Sequence, residues 1–436
     1  MSTDLHRRLY AQVDSDRDFV VGLTQSLVRI PTVNPKFKDD PQLSREADLQ
    51  TYLEGVLRKI GLSTEMWDVS PGRPNLVGTL DGSEDTSLIL NGHIDVVPTG
   101  DRANWSVDPF GGELKETKIY GRGSLDMKGG VAAAVAAVKA IVDSGIKPRG
   151  RVAIHSVVDE ESGSEGTRDI VRLGKLAAAV LVPEPSWGAV YPAAVGEEWV
   201  RVTIRGRTGH AGWRYNEIYP QIPAADRVVP SVNAIDLGVR LLVALREYER
   251  ERGRNCYHPL MPPGITTINA AAIFAGAGIG ADGLPITTTN PAITPDTFVA
   301  DFQVKSLPSD PPKQVRADFE EFIYRFAQTD RWLRVHPPTV KWELHNVHFP
   351  PVETPTNHQI VQSIIASRAR AGLSTLTQGF VAVADTAFYS GAGVPAIIYG
   401  PGGNGIHAVD EYVEVESLLE TTKHLAAAII DWCKVH

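Results

Sequence analysis

Apolar positions along the chain change their period several times, and each change marks an element. In DFVVGLTQSLVRI (18–30) and READLQTYLEGVLRKIG (45–61) they recur every three or four residues. That spacing predicts two amphipathic helices, the second closed by Gly61 as C-cap. NLVGTL, SLILNG, RVAIHSVV and AAAVLV are short apolar runs bounded by turn residues, as expected of strands covered on both faces. The alanine-rich GGVAAAVAAVKAIVDSG predicts a helix between two of them. Helix and strand signals that alternate in this way imply an α/β layer structure with a mostly parallel sheet.

The pattern changes after Gly196. EEWVRVTIRG alternates polar and apolar residues, as a half-exposed antiparallel strand does. A helix (AIDLGVRLLVALREYERERG), a strand near GITTINAAAIF, a strand TFVADFQV, a helix (PPKQVRADFEEFIYRFAQ) and a strand TVKWELHNV follow. The order β-α-β-β-α-β is that of a ferredoxin-like unit. From about Pro350 helix–strand alternation returns with NHQIVQSIIASRARAG, GVPAIIYG and a C-terminal helix after Val415. The expected organisation is a catalytic domain made of 1–196 and 350–436, with a lid-like domain, 197–349, inserted into it.

Composition narrows the function. A chain of 436 residues exceeds one ordinary core, in keeping with this division. The formal net charge of −9 argues against nucleic-acid and anionic-membrane partners, which reward a basic surface. Only Cys256 and Cys433 occur, without CxxC spacing, which excludes a disulfide framework or a thiolate zinc site. The first twenty residues lack a signal peptide's apolar core, and no window approaches ~18 uninterrupted apolar residues. A cytoplasmic protein with a small-molecule substrate is the expectation, and the sequon at Asn104 is read as accidental.

Five segments place acidic residues or histidine just after an apolar run: His93 and Asp95 in NGHIDVV, Asp126 in GRGSLDMKGG, Glu160 and Glu161 in HSVVDEESGSEG, Glu184 in LVPEPS, and His407 in GPGGNGIHAVDE. In open α/β sheets ligands bind in the crevice beyond the carboxyl ends of the strands, so these segments can converge there. Imidazole plus carboxylate without thiolate suits one or two divalent ions, Zn²⁺, Mn²⁺ or Co²⁺, at a hydrolytic site. Two such ions need one bridging carboxylate, and a further carboxylate must stay unligated as base. Adjacent Glu160 and Glu161 allow that division if they sit in an extended segment, where neighbouring side chains point apart. Asp95 suits a role behind His93, fixing its tautomer. The bland reading of each residue alone is a solvated loop, a helix N-terminal charge or a turn; the set of five is what argues for metal. GAGIGADG (276–283) lacks the helix a dinucleotide loop requires, and neither GxSxG nor HExxH is present.

Together GHIDVVP, GRGSLDMKGG, DEESGSEG, PEP and GIHAVDE resemble the motifs of the metallo-exopeptidase and deacylase family. That family includes acetylornithine deacetylase, succinyl-diaminopimelate desuccinylase, aminoacylase and glutamate carboxypeptidase. The resemblance runs in order along nearly the whole chain, lid included. It implies that Asp126 bridges two metals, that His93 and Glu184 complete one and Glu161 and His407 the other, and that Glu160 is the general base. It further implies that Asp95 orients His93, that a cis peptide follows Asp126, and that His210 of GRTGHAG helps polarise the scissile carbonyl, often from a partner subunit. The half-polar lid strands and this role of His210 together suggest a homodimer paired through the lids, or a larger homo-oligomer built from it.

The sequence departs from the family pattern on the lid. Where many members carry an arginine that grips a substrate carboxylate, TFVADFQV has Gln303. A glutamine cannot supply the charged fork of a guanidinium. Asn290 is a candidate for a neighbouring substrate contact, and Arg214, in the long aromatic loop 210–231, is a candidate replacement for the missing charge. The expected function is a metal-dependent hydrolase of a C–N bond, foremost the amide of an N-acyl amino acid or short peptide. Hydrolytic deamination of an activated aromatic amine, such as a nitro-substituted aminobenzoate, is the alternative. A non-catalytic binding protein on the same scaffold is the alternative of another class.

Overall fold

The computed structural model describes residues 2–214 and 230–436, which form two compact units, 1–194 with 352–436 and 195–351. Most of the aromatic loop, including Tyr215 and Tyr219, lies outside the described residues.

The first unit opens with helices α1 (Ser2–Ser15), α2 (Arg17–Arg29) and α3 (Glu46–Ile60), then strands β1 (Ser63–Ser70), β2 (Arg73–Leu80) and β3 (Glu84–His93). The short strands β4 (Glu113–Lys115) and β5 (Lys118–Tyr120) precede α4 (Gly129–Asp143), β6 (Gly150–Val157), α5 (Glu165–Arg172), β7 (Ala179–Val182) and β8 (Val190–Ala194). The second unit holds β9 (Gly196–Arg205), α6 (Ala234–Asn255), β10 (Ile268–Gly276), β11 (Thr297–Ser306), α7 (Pro312–Gln328), β12 (Thr339–Trp342) and β13 (His348–Phe349). The chain then returns through β14 (Val352–Glu353), α8 (Gln359–Arg370), β15 (Thr377–Phe380), α9 (Thr386–Gly391) and β16 (Ala396–Ile398). It ends with β17 (Gly403–Asn404), β18 (Tyr412–Glu414) and α10 (Val415–Cys433).

In the large sheet, β6, β3, β7 and β16 lie side by side and parallel, and β1, β2, β8 and β14 flank them with antiparallel pairings. The apolar runs read as doubly covered because they are. Leu88, Leu90, Val152, Ile154 and Leu181 pack into a core with α1 to α4, α8 and α10. Ile89, Ala153, Val180 and Val182 point the other way, towards Ile170 of α5 and Tyr389 of α9. Small residues let α4 run deep in this core: a Cβ on Gly130 would meet the Pro183 carbonyl oxygen at 2.0 Å. Gly61, at φ 104°, caps α3 as predicted. Helix α1 was not predicted. Its apolar side is narrow, yet it buries Leu9 and Val13 completely.

The second unit has the predicted β-α-β-β-α-β order, with strand order β10-β11-β9-β12 and each neighbouring pair antiparallel. Its core joins Val200, Val202, Ile204, Phe298, Phe302 and Val304 to Leu237, Leu241 and Leu245 of α6 and Val315, Phe319 and Ile323 of α7. TVKWELHNV is not one strand. Glu343, His345 and Asn346 take left-handed conformations (φ 55°, 58° and 62°), so β12 stops at Trp342 and pairing with β9 resumes only at His348. Among the described residues no helix is long and apolar enough to cross a membrane.

Candidate active site

The four central parallel strands all end at one edge of the large sheet: His93 of β3 stands opposite Val157 of β6, and Val182 of β7 opposite Ile398 of β16. The chain therefore delivers His93, Glu160, Glu161, Glu184 and His407 to one place from four strand ends. Asp126 arrives from the tight turn before α4, ahead of a cis Asp126–Met127 peptide, as the resemblance implied.

Two imidazoles flank Asp126. His93 Nε2 lies 3.3 Å from Asp126 Oδ1, 3.4 Å from Glu184 Oε1 and 3.9 Å from Glu160 Oε2. His407 Nε2 lies 3.1 Å from both Asp126 Oδ2 and Glu161 Oε2. Donor atoms of His93, Asp126 and Glu161 fall within 4.8 Å of one another. Each histidine thus faces one oxygen of Asp126.

The charge balance is what calls for a cation. Among the described residues no lysine or arginine pairs with Asp126, Glu160, Glu161 or Glu184, and Glu161 Oε1 is buried without a hydrogen bond. Burial, with the neighbouring Asp126 carboxylate, pushes Glu184 up to about 8. Burial also raises Glu160 well above the usual range, helped by Glu184 and Asp385 against the opposing pull of His93. His407 is raised to about 10 by its hydrogen bonds to Asp126 and Glu161. Crowded buried carboxylates that hold protons in this way are groups a divalent ion would discharge. The donor set, imidazole nitrogen and carboxylate oxygen, fits such ions.

Behind these side chains lies a layer that sequence reading largely missed. His93 Nδ1 is 2.9 Å from the backbone oxygen of Asp95, whereas the Asp95 carboxylate is 3.7 Å away. Asp95 thus addresses His93 through its carbonyl. Its carboxylate accepts from Asn34 Nδ2 (2.8 Å) and from the backbone N–H groups of Glu160 (3.0 Å) and Glu161 (3.2 Å). Glu160 and Glu161 do not sit in an extended segment as expected. They begin one turn of 3₁₀ helix, because buried Asp159 before them is left-handed (φ 74°) and held by Asn34, Lys36, Arg73 and the Ser164 N–H. Glu411, in the same run as His407, clamps the other side. It accepts from Arg122 Nη1 (2.5 Å) and from the backbone N–H groups of Gly123, Leu125 and Asp126 at 3.0–3.1 Å. The only sequence signal for Glu411 was its place in GIHAVDE. Asp385, fully buried, accepts from Asn91 two residues before His93 and had no signal at all.

The remaining candidates belong to the second unit. His210 caps the turn Ala211–Trp213, its Nδ1 accepting from Gly212 N at 3.0 Å, and bridges to Ile293. Asn290 accepts from Ala292 N nearby. Arg214 is ion-paired with Asp236 of α6. Gln303 lies on the sheet face turned away from the helices.

A buried set of imidazoles and carboxylates at the carboxyl edge of an α/β sheet, without thiolate, defines the class of metal-dependent amidohydrolases. Comparison with known proteins names the family. Residues 89–431 match the model of Peptidase family M20/M25/M40, and the chain belongs to that family. It is 31% identical over 442 residues to the N-formyl-4-amino-5-aminomethyl-2-methylpyrimidine deformylase of Bacillus subtilis, an alignment covering 98% of this chain and 97% of that one. It is 25% identical to a probable succinyl-diaminopimelate desuccinylase of Staphylococcus aureus, over 90% of this chain and 94% of that one. Among solved structures, aminopeptidase PepT of Bacillus cereus superposes with a TM-score of 0.71 at 20% identity, covering 96% of this chain and 99% of that one. The protein is thus a metal-dependent hydrolase acting on C–N amide bonds.

Proposed function

We propose that this enzyme cleaves the amide of a small N-acyl amine at a site where His93 and Glu184 hold one divalent ion, Glu161 and His407 hold a second, and Asp126 lies between them. Zn²⁺, Mn²⁺ and Co²⁺ suit these donors. The single observation that carries the reading is the convergence of both histidines on opposite oxygens of Asp126. When bound, such ions polarise a carbonyl and make water a nucleophile at neutral pH.

Glu160 does the proton work. It reaches the cluster without a hydrogen bond to either histidine, which leaves its carboxylate free to take a proton from water and pass it to the leaving amine. Asp95, by holding the Glu160 and Glu161 backbone N–H groups, keeps base and ligand in register. His210 is proposed to donate to the developing oxyanion, as histidines at this motif do in the resemblance.

The substrate class follows from N-acyl amino acids and short peptides on one hand and the deformylase relative on the other. Gln303 favours the latter: a neutral carboxamide is a poor partner for a substrate carboxylate and a good one for an uncharged amine portion. A product assay tests this. Metal-loaded enzyme should release formate from an N-formyl aminomethylpyrimidine faster than it releases amino acid from N-acyl amino acids. Ammonia release from an aromatic amine, without amide cleavage, would contradict the reading.

A homodimer through the second unit is part of the proposal. Ile235, Val239 and Val243 form an exposed stripe along α6, and edge strand β10 exposes Ile273 and Phe274. Apolar edges of this kind invite a partner. A strictly monomeric mass in solution with full activity would rule it out. Two free cysteines and the acidic surface suit the cytoplasm, where we place the protein.

A further inference from the structure

A row of buried polar side chains lies beside the proposed metal ligands, and the proton transfer above makes no use of it. On β3, Asn91 and His93 are two residues apart and so share one face of the sheet. Parallel pairing puts His155 of β6 opposite Asn91, just as Val157 stands opposite His93. Asp385, immediately before α9, and Tyr389, within it, both reach the Asn91 carboxamide. Asn91, Tyr389 and Asp385 are fully buried and His155 nearly so.

The donors in this row all point one way. Tyr389 Oη donates to Asn91 Oδ1 at 2.9 Å. A phenol has one hydrogen, so in its 2.8 Å contact with His155 Nδ1 the imidazole must donate. Asn91 Nδ2 in turn donates to Asp385 Oδ2 at 2.9 Å. The series therefore ends on an acceptor, and hydrogen bonds aligned in this way polarise one another towards a negative charge there. His155 is no counter-ion at the far end, because burial holds it down to about 3 and it stays neutral.

Among the described residues no lysine or arginine pairs with Asp385, and its Oδ1 has no hydrogen-bond partner. A charge buried on such terms is costly unless a cation nearby compensates it. Burial raises the Asp385 pKa, with His93 the chief opposing influence. The Asp385 charge helps to raise both Glu160 and Glu184. Glu161 and His407 answer instead to Asp126 and to each other. Asp385 thus addresses one side of the cluster, the side of His93 and Glu184. We propose that Asp385 is a positioning residue for the ion held there: it supplies an uncoordinated negative charge, aimed and fixed through Asn91. The inference rests on the metal reading above and adds that the two ion sites are unequal.

Co²⁺ titration of the chelated full chain, followed by visible absorption and paired with thermal melts of the ion-free protein, tests it. Asp385→Asn is the variant, because the amide is nearly isosteric. Its oxygen can still accept from Asn91, and its nitrogen can give to the Ser164 and Thr167 hydroxyls, which lie by this carboxylate unsatisfied. One of the two Co²⁺ affinities should fall about tenfold or more, while the other changes less than about twofold. The ion-free variant should melt no lower than wild type, since an unpaired buried charge has gone. Asp385→Ser, smaller and also neutral, should repeat the selective loss of affinity if the asparagine variant does not fold. Unaltered affinities, an equal loss at both sites, or a lower melting temperature with ion binding intact would overturn the proposal. Wild-type protein that bound no Co²⁺ would instead overturn the metal reading, and this inference with it.

Discussion

The two regions with chemistry to offer are built on opposite terms. At the edge of the large sheet each side chain proposed to hold an ion or carry the proton is held from behind: His93 by the Asp95 carbonyl, the Glu160–Glu161 turn by the Asp95 carboxylate, the Asp126 turn by Glu411. On the open sheet of the second unit, Gln303 is partly buried and Asn269 exposed, and neither has such support. A metal cluster tolerates little displacement, because crowded carboxylates are stable only when ligated or protonated. Neutral carboxamides at a cleft cost little to leave in water, so that region is free to vary.

Four changes break or sharpen that contrast. Glu160→Gln should have the largest effect, lowering turnover about 10²–10⁴-fold while the protein still binds its ions, since only the proton carrier is lost. Steady-state kinetics beside elemental analysis would show it. Asp95→Asn comes next: the Glu160–Glu161 turn loses its charged acceptor, and divalent-ion affinity should drop about 10–100-fold, read by competition with a chromogenic chelator. A variant that kept full affinity would mean the turn holds itself. In the other region, Gln303→Arg should leave the ions untouched and shift relative catalytic efficiency about tenfold towards carboxylate-bearing amides, through KM more than kcat. An unaltered substrate ratio would detach Gln303 from selectivity.

The smallest effect concerns stability away from both regions. His424, buried with Nδ1 2.8 Å from Ser367 Oγ, is lowered to about 3 by burial and then by nearby Arg368 and Lys423. A histidine whose folded pKa is depressed stabilises the fold fully above its ordinary value near 6.5 and loses that contribution as pH falls below it. The unfolded chain takes up the proton first. Acidification from pH 6.5 to 5 should thus remove about 2 kcal/mol of unfolding free energy through this residue. Denaturant melts should show that His424→Gln loses this part of the pH dependence. An identical slope in the variant would contradict the burial argument.

How far the sequence could be read follows the same division. His93, Asp126, Glu184 and His407 were legible because each follows an apolar run or a glycine-rich turn, and α/β topology sends such points to one edge. The turn carrying Glu160 and Glu161 was misread as extended. Its shape is set by contacts that Asn34, Lys36 and Arg73 make with Asp159, more than 80 residues away along the chain. Glu411 acts across 285 residues on the Asp126 N–H, a relation no local pattern encodes. The break in TVKWELHNV begins at Glu343, a residue type that gives no sign of left-handed backbone; His345 and Asn346, of types enriched there, were the available hint. Gln303 was noticed only as an absence, and its companions Asn269 and Trp199 became visible once register placed the three in a row.

The central claim is that both histidines, Asp126, Glu161 and Glu184 hold divalent ions while Glu160 stays free to carry the proton. Ion content and turnover, measured together on zinc-reconstituted wild-type and Glu160→Gln protein, test it most directly. The account predicts the same stoichiometry, up to two ions per chain, in both proteins, with turnover lost only in the variant. Loss of an ion on substitution of Glu160, or near-normal turnover without it, would contradict the assignment.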